Sequence, residues 1–333
     1  MTLSVRERLW LFNRESLMLE LVVQRRVQEA EDIISLDFIS AQGMVLPAFA
    51  PGAHIDLHLS NGLIRQYSLC HPSESQSSGK YTIAVQREKE SRGGSISVHE
   101  QLTVGSRVQA SEPRNLFELV PAARKHLLLA GGIGITPLIC MAQALALKQH
   151  DFELHYFCRS QARAAFGDLL RSESLARSVH LHLDGNADVH LAEILKRPDS
   201  DTHIYVCGPS GFMDCVLATA SERDWPSSNV HKEFFAVDSS PQEGDQLFEV
   251  QIASTGRRYE IPVGASVFEV LDQAGLDIPV SCEQGICGTC VTQVLDGIPD
   301  HRDQYLTDAE KAMNKCFTPC CSRAHSKLLV LDL

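Results

Sequence analysis

The sequence predicts a multidomain protein: an N-terminal antiparallel β-barrel, an α/β domain on a parallel sheet, and a small C-terminal domain. Three observations support this. Short apolar runs alternate with turn residues up to residue 118, charge-free strands alternate with helical segments from residue 126, and a cysteine-rich stretch follows residue 247. A length of 333 residues fits two or three domains.

The first region contains the short alternating runs that are typical of strands. Turn residues such as Pro51-Gly52 and Asn61-Gly62 separate them. We expect strands at residues 21–23, 33–39, 55–59, 67–70, 81–86 and 107–110. Many short strands at this spacing favour a small barrel or sandwich.

The second region changes to charge-free strands that alternate with helices, a pattern that predicts a parallel sheet. We expect strands at 126–130, 153–158, 180–183 and 203–207, and helices at 137–149, 163–172, 191–195 and 212–221. Residues 127–147 carry no charge over 21 residues, enough to cross a bilayer. Because glycines and Pro137 interrupt this stretch, we interpret it as a strand, a turn and a helix.

Composition shifts place the domain boundaries. Residues 239–246 (SSPQEGDQ) are polar and lack periodicity, which indicates a linker. We expect an extension at 1–18, a barrel at 19–122, an α/β domain at 123–238, a linker at 239–246 and a C-terminal domain at 247–333.

The charge balance excludes some partners. Thirty basic and 42 acidic residues give a net charge of −12, which argues against nucleic acid or an anionic membrane as the main partner. The N-terminus shows no secretory signal, so we predict a cytoplasmic protein. In a reducing compartment the 11 cysteines are more often metal ligands or buried side chains than disulfides.

The strongest chemical signal is the run CEQGICGTC at 282–290. Cys282, Cys287 and Cys290 have C-x4-C-x2-C spacing, and Cys320 follows after 29 residues. This is the spacing of a plant-type [2Fe–2S] site, in which two irons need four thiolates. A zinc site and buried structural cysteines are the alternatives, but zinc favours paired C-x2-C motifs and only one is present.

Two further cysteines compete for the fourth position. Cys321 adjoins Cys320, and Cys316 is a weaker candidate. Successive side chains of a strand point to opposite faces, so we expect only one of Cys320 and Cys321 to face the cluster. A hairpin at 249–260 and a helix at 267–274 precede these cysteines and resemble the β-grasp fold of plant-type ferredoxins.

Two glycine turns follow buried strands in the α/β region. GGIGITP at 131–137 precedes a helix, with Thr136 as a candidate N-cap and Pro137 at the first helical position. A second turn contains Cys207, Gly208 and Pro209. Adjacent strand ends of this kind form one ligand crevice, although either turn can be purely structural.

The β-region contains a candidate phosphate cradle. RQYS at 65–68 lies in a strand, and RGGS at 92–95 precedes a helix, where backbone N–H groups bind phosphate. Phe235 is by default a core aromatic, but a flat ligand can stack on such a ring.

Together these motifs resemble the phthalate dioxygenase reductase family. They occur in family order from about residue 19 to residue 333, and include DHRDQYLTDAEK and the C-terminal CCSRAHSKLLVLDL. The resemblance implies FMN, NADH and a plant-type [2Fe–2S] cluster ligated by Cys282, Cys287, Cys290 and Cys320. It implies FMN contacts at Arg65, Gln66, Tyr67, Ser68, Arg92, Gly93, Gly94, Ser95 and Phe235.

The same resemblance implies a pyridine-nucleotide site at Gly132, Gly134, Thr136, Pro137, Gly208 and Pro209. Cys207 and Ser68 are the predicted catalytic residues. Arg159 follows a strand at a position where it could meet a 2′-phosphate, which leaves NADPH open.

The implied function is electron transfer from NADH through FMN and the cluster to a Rieske non-haem iron oxygenase, by a monomeric reductase. Residues 245–333 hold 13 acidic and 7 basic residues, so an acidic surface could steer a basic partner. A self-contained flavin reductase or oxidase and a non-enzymatic iron–sulfur module are the alternatives.

Overall fold

The computed structural model describes residues 18–72, 79–89, 93–183, 187–235 and 241–333. These residues belong to two units, one ending at Glu233 and one beginning at Phe234. The predicted extension at 1–18 lies, apart from Met18, outside the described residues.

The first unit begins with a six-stranded antiparallel sheet. Its strands are β1 (Leu19–Ala30), β2 (Ile33–Ser40), β3 (His54–His58), β4 (Ile64–Ser68), β5 (Tyr81–Gln86) and β6 (Arg107–Ala110). Their order is β4-β3-β6-β1-β2-β5. The two edges meet where Leu69 bridges Ile83 and the Cys70 N–H donates to the Thr82 carbonyl at 2.8 Å. The sheet therefore closes, as the sequence predicted.

Alternating apolar residues fill this barrel. Leu21, Leu36, Ile55 and Leu57 are completely buried in one core cluster, because side chains on one face of each strand point inward. Helix α1 (Gly94–Gln101) follows β5 and adds Val98 to the same core.

A parallel five-stranded sheet follows. It contains β7 (Lys125–Gly131), β8 (Asp151–Phe157), β9 (Val179–His182), β10 (Thr202–Cys207) and β11 (Val230–Glu233), in the order β11-β10-β7-β8-β9. The helices are α2 (Ile135–Leu147), α3 (Gly167–Leu170), α4 (Ala187–Ile194) and α5 (Ser210–Glu222). β7 and β10 are buried along most of their length, which explains why Lys125 at the start of β7 is their only charged residue. The predicted parallel-sheet domain is confirmed.

The four helix starts predicted in this region, at 137, 163, 191 and 212, lie at 135, 167, 187 and 210 in the structure. A 3₁₀ turn at Gly132–Gly134 leads into α2, which begins at Ile135 with Gly134 as its N-cap. Thr136 is therefore not the N-cap, and its hydroxyl donates to the Ile133 carbonyl at 3.0 Å. The helix predicted at 163–172 is reduced to α3, because Phe166 has a left-handed φ of 60° that interrupts it.

The predicted strand–turn–helix at 127–147 is confirmed. Among the helices of the described residues, none combines the length and apolarity needed to cross a membrane.

The second unit has a mixed sheet and a short two-stranded ladder. The strands are β12 (Phe248–Ile252), β13 (Arg258–Ile261), β14 (Thr292–Asp296), β15 (Pro299–Asp300), β16 (Cys316–Phe317), β17 (Arg323–Ala324) and β18 (Leu328–Leu331). The sheet order is β13-β12-β18-β14-β16, with β12 and β18 parallel, and β15 pairs with β17. The predicted hairpin is β12–β13.

Both helices that the structure describes in this unit begin with a capping box. Ser266 and Glu269 exchange side chain–backbone hydrogen bonds at α6 (Val267–Gln273), and Thr307 and Glu310 do so at α7 (Asp308–Ala312). These boxes fix where the chain turns from loop to helix on each side of the cysteine run.

An ion pair holds the start of this unit. Asp245, at the end of the predicted linker, contacts the buried Arg302 guanidinium, which also binds Asp300 at 2.6 Å. Arg302 lowers the pKa of Asp245 to about 2. Residue 245 is therefore fixed to the C-terminal fold.

Candidate functional site

Four buried thiols converge beside the mixed sheet. Cys282, Cys287, Cys290 and Cys320 are at most 7% exposed. The sulfurs of Cys290 and Cys320 are 3.4 Å apart, and the Cys282 thiol hydrogen-bonds Cys287. The four cysteines therefore form two pairs, which fits a cluster of two irons.

Backbone N–H groups point at these sulfurs. Gln284 donates to Cys282 at 3.3 Å and Thr289 donates to Cys287 at 3.5 Å. Hydrogen bonding from Cys282 lowers the pKa of Cys287 to about 6, which favours its thiolate. This donor set is suited to a cluster that carries negative charge on its sulfurs.

Strand alternation does not separate Cys320 from Cys321, so that prediction is wrong. Both residues lie in a turn between β16 and β17, so strand alternation does not apply. The contacts still distinguish them: Cys320 lies beside Cys290, whereas the Cys321 sulfur is 3.3 Å from the Thr318 hydroxyl. These contacts favour Cys320 as the fourth ligand.

Tyr305 covers one side of the cysteine loop. A Cβ atom on Gly288, where φ is +74°, would lie 2.2 Å from the Tyr305 ring. The Gln304 N–H also donates to the Gly285 carbonyl at 2.9 Å. Gly288 is thus required by a packed aromatic ring, a contact that the cysteine spacing did not reveal.

In the first unit, the two parts of the predicted phosphate cradle lie together. Arg65 on β4 is buried, and a Cβ atom on Gly94 would lie 2.8 Å from its Cγ. Gly93 starts α1 with φ 90°, and no side chain among the described residues caps that start. A buried guanidinium beside a helix N-terminus fits a phosphate group.

The remaining cradle residues are placed as follows. Ser95 accepts the Glu88 N–H at 3.1 Å, and Arg92 lies outside the described residues. On β4, Gln66 contacts His54 at 3.3 Å, and Tyr67 packs against the barrel core, where burial raises its pKa.

Ser68 and Cys207 meet through a third residue. The Ser68 hydroxyl donates to the Glu233 carboxylate at 3.4 Å. Glu233 lies opposite Cys207 in the parallel pairing of β11 with β10. The end of barrel strand β4 and the crevice of the parallel sheet therefore meet at Glu233.

The environment of Glu233 is unusual for a carboxylate. Burial raises its pKa to about 8, although the Ser68 hydrogen bond opposes the shift. Burial and the nearby Glu233 also raise the pKa of Cys207, so this thiol is neutral. Sequence reasoning missed Glu233, and the available signal was its position two residues before Phe235.

The two glycine turns pack directly against each other. A Cβ atom on Gly134 would lie 2.2 Å from the Cys207 carbonyl oxygen, and one on Gly208 would lie 3.0 Å from the Gly131 Cα. β7 and β10 are neighbours, so the predicted crevice between adjacent strand ends is present. Gly134 is required for packing the two turns.

The other predicted nucleotide residues differ in access. A Cβ on Gly132 would meet no described atom within 4 Å, and φ there is +50°. Thr136 and Pro137 are buried in the first turn of α2, and Pro209 is the N-cap residue of α5. Arg159 is exposed two residues beyond β8.

Phe235 is half-buried and lies two residues beyond Glu233 along the chain. Because Phe234 begins the second unit, the stacking role of Phe235 stays a prediction from sequence.

Two family models match this chain, one over the cysteine pocket and one over the parallel sheet. Residues 250–325 match the family described as 2Fe-2S iron-sulfur cluster binding domain. Residues 106–230 match the N-terminal domain of dimethylamine monooxygenase subunit DmmA-like proteins.

Similarity to whole proteins extends along almost all of the chain. The vanillate O-demethylase oxidoreductase of Pseudomonas sp. (strain HR199 / DSM 7063) is 53% identical over 319 residues, covering 95% of this chain and 100% of that protein. The carnitine monooxygenase reductase subunit of Escherichia coli (strain K12) is 37% identical over 320 residues, covering 95% and 98%. The solved structure of phthalate dioxygenase reductase is 37% identical with a TM-score of 0.76, covering 95% and 98%.

The chain belongs to the phthalate dioxygenase reductase family. This reductase is therefore an NADH-dependent iron–sulfur flavoprotein oxidoreductase, as the motifs indicated. The predicted cofactors, FMN, NADH and [2Fe–2S], are confirmed, and the alternative of a non-enzymatic iron–sulfur module is not favoured.

Proposed function

We propose that this reductase delivers electrons from NADH to a separate Rieske-type non-haem iron oxygenase, and that it works as a cytoplasmic monomer. The observation that supports electron entry from NADH is the meeting of Ser68 and Cys207 at Glu233. That contact joins the end of β4, the strand proposed to bind flavin, to the nucleotide crevice. Hydride transfer requires the flavin and nicotinamide rings to be in contact.

Bound FMN would supply the chemistry that links the two-electron hydride of NADH to the one-electron [2Fe–2S] cluster. The chain supplies binding and orientation. We assign Arg65 and Gly94 to the FMN phosphate, since they lie together at the start of α1. Arg92, Gly93 and Ser95 complete that assignment by sequence.

The isoalloxazine and the nucleotide take the remaining positions. We assign Gln66, Tyr67, Ser68 and Phe235 to the flavin ring. We assign Gly132, Gly134, Thr136, Pro137, Arg159, Gly208 and Pro209 to the nucleotide, with Cys207 beside the nicotinamide. The open, left-handed Gly132 is the position at which a pyrophosphate can approach the backbone. Thr136 acts by holding the turn, because its hydroxyl already donates to Ile133.

Glu233 controls charge where the hydride arrives. With a pKa of about 8 it carries a proton at neutral pH, so no carboxylate charge opposes reduction of the neighbouring ring. Cys207 is neutral for the same reason, and its burial excludes water from this point.

Each predicted domain is assigned one cofactor. We propose FMN binding by residues 19–122, NADH binding by 123–238 and the ferredoxin by 247–333. The closed barrel, the parallel sheet and the mixed sheet support these three assignments.

The partner is proposed from charge and homology. The relatives named above are reductases of demethylase and monooxygenase systems. The excess of acidic residues in 245–333 suits a basic docking surface on the oxygenase. Electron transfer to the oxygenase is then expected to slow as salt concentration rises.

A reconstitution experiment tests the partner. The holoenzyme, NADH and the oxygenase component of a vanillate O-demethylase are mixed anaerobically, and the oxygenase spectrum is followed. Reduction that needs all three components supports the proposal. If the oxygenase stays oxidised, and a parallel aerobic assay shows the same rate of oxygen consumption with and without it, the reductase is a self-contained oxidase instead.

A second experiment tests Glu233. In stopped-flow measurements, flavin reduction by NADH should slow above pH 8 in the wild type, as Glu233 ionises. Glu233→Gln should remove this transition and keep a rate near that of the wild type at pH 7. An unchanged transition in the variant would exclude Glu233 as the titrating group.

A further inference from the structure

A cluster of imidazole and carboxylate groups lies on the parallel sheet, apart from the residues assigned above. Glu153 and His155 are two residues apart on β8, and His180 lies opposite His155 on β9. One ligand atom from each of the three lies within 4.8 Å of the others. We propose that these three side chains bind a divalent transition-metal ion, with Zn²⁺ as the best match to two imidazoles and one carboxylate.

Backbone register sets this arrangement. Residues 153 and 155 share one face of β8 because side chains alternate along a strand. Parallel pairing then brings His180 beside His155, with ring centroids 4.6 Å apart and an interplanar angle of 16°. The three ligands are therefore held by two adjacent strands rather than by mobile loops.

His155 has the protonation state of a metal ligand. It is 6% exposed, and burial lowers its pKa to about 4, so the ring is neutral at pH 7. Its Nε2 is 3.2 Å from Glu153 Oε2, and its Nδ1 is 3.1 Å from His182 Nε2. An ion bound at Nε2 places the ring proton on Nδ1, where it donates to His182. Such a partner on the remote nitrogen orients metal-binding histidines.

Glu153 offers one oxygen to the site. Its Oε1 accepts the Lys125 ammonium at 2.5 Å, and Oε2 faces His155. Burial opposes ionisation, but hydrogen bonds from Lys125 and His155 outweigh it and lower the pKa of Glu153. The carboxylate is charged and oriented before an ion arrives. The Lys125 charge weakens cation binding, so the site should bind less tightly than a closed structural zinc site.

A second histidine pair in the same sheet provides a natural control. His203 on β10 and His231 on β11 stack at 5.1 Å, with Nδ1 and Nε2 2.8 Å apart. In the described part of the chain, this pair has no third ligand atom within the same distance. If stacked imidazoles alone bound zinc, the two pairs would behave alike.

The ligand set predicts the zinc environment. Three protein ligands leave a fourth position for water, and Zn–N and Zn–O distances fall near ~2.0–2.2 Å, whereas Zn–S is near ~2.3 Å. Zinc that has displaced iron from the cysteine pocket would therefore be recognised by its sulfur ligands. An ion bound between β8 and β9 would also fasten the edge strand of the sheet.

The test uses iron-replete holoenzyme with one equivalent of ZnSO₄. Zinc is measured by equilibrium dialysis with elemental analysis, and its ligands by X-ray absorption at the zinc edge. We expect one zinc per chain, with imidazole and oxygen ligands and no sulfur. His180→Ala and Glu153→Gln should each weaken binding at least ~10-fold, and His203→Ala should leave it unchanged. His180 is exposed, so its replacement is not expected to prevent folding.

Three results from the variants and the spectrum, and one from dialysis, would overturn the proposal. They are a sulfur-ligated zinc, wild-type affinity in His180→Ala, and equal loss of affinity in His203→Ala. A holoenzyme that retains no zinc after dialysis against buffer containing the free ion would do the same. Thermal unfolding provides a second measurement, since saturating Zn²⁺ should raise the melting temperature of the wild type and not that of His180→Ala.

Discussion

The cysteine pocket and the glycine crevice achieve recognition in opposite ways. In the pocket, side chains make the bonds, and four buried thiols lie in two pairs. In the crevice, glycines that lack side chains make recognition possible. Gly134 and Gly208 let the two glycine turns pack closely, and Gly132 leaves space beside the backbone. A site built from side chains, such as the cysteine pocket, can be predicted from residue spacing. A site built from backbone, such as the glycine crevice, is recognised only from its position in the sheet.

The largest expected effect is loss of the cluster from the cysteine pocket. Cys320→Ala removes the partner of Cys290 and should leave less than ~10% of the wild-type cluster iron, since metal binding depends on the complete ligand set. Cys321→Ala is the matched control and should keep the cluster, because Cys321 contacts Thr318. Iron analysis and the visible spectrum measure both. The opposite pattern would make Cys321 the ligand.

The next effect concerns the fold around the pocket. Asp245→Asn removes one of the two carboxylates that pair with Arg302, and Asp300 keeps its own contact. Because Arg302 keeps one partner, the variant is expected to lose less than about 3 kcal/mol, which is what an unpaired buried charge costs. The folded-state pKa of Asp245 is about 2, below its ordinary value of about 3.9. Its contribution is therefore present above about pH 4 and is lost as pH falls towards 2.

Denaturant unfolding, followed by far-UV circular dichroism because acid itself destroys the cluster, measures this difference at several pH values. The stability of wild type and Asp245→Asn should differ most near pH 7 and converge in acid. A difference that persists at pH 2 would show that shape, rather than charge, holds the segment.

The smallest expected effect concerns the packing of the two turns in the glycine crevice. In Gly134→Ala the new methyl group meets the Cys207 carbonyl, an overpacking that costs about 2 kcal/mol. NADH binding should weaken with it, since the two turns must move apart. Gly211→Ala is the control: its Cβ meets no described atom within 4 Å, and it lies in α5. Flavin release on heating and the KM for NADH separate the two variants, and equal behaviour would mean that the turns are free to adjust.

The accuracy of sequence prediction follows the same division. β5 and β6 were predicted to the residue, because alternation and flanking turns define short strands. The start of α2 was not, because a 3₁₀ turn carries the chain into the helix and makes Thr136 an internal residue. Propensity at one position does not reveal such a turn.

Site residues show a similar contrast. The four cysteines have a spacing that few other sites share, and their thiols do converge. Glu233 has no such signature: a single carboxylate acquires its shifted pKa only from burial beside Ser68 and from its register with Cys207. Tyr305 was missed for the same reason, because its contact with Gly288 joins residues that no local pattern connects.

The short edge strand β9 has a consequence for solutions of the purified protein. An open sheet edge is a template on which a foreign strand can add, and Leu181 and Leu183 beside it are more than one-third exposed. β9 spans only Val179–His182, so an intruding chain would gain few hydrogen bonds. The shortness of β9 therefore limits edge-to-edge association of the purified reductase.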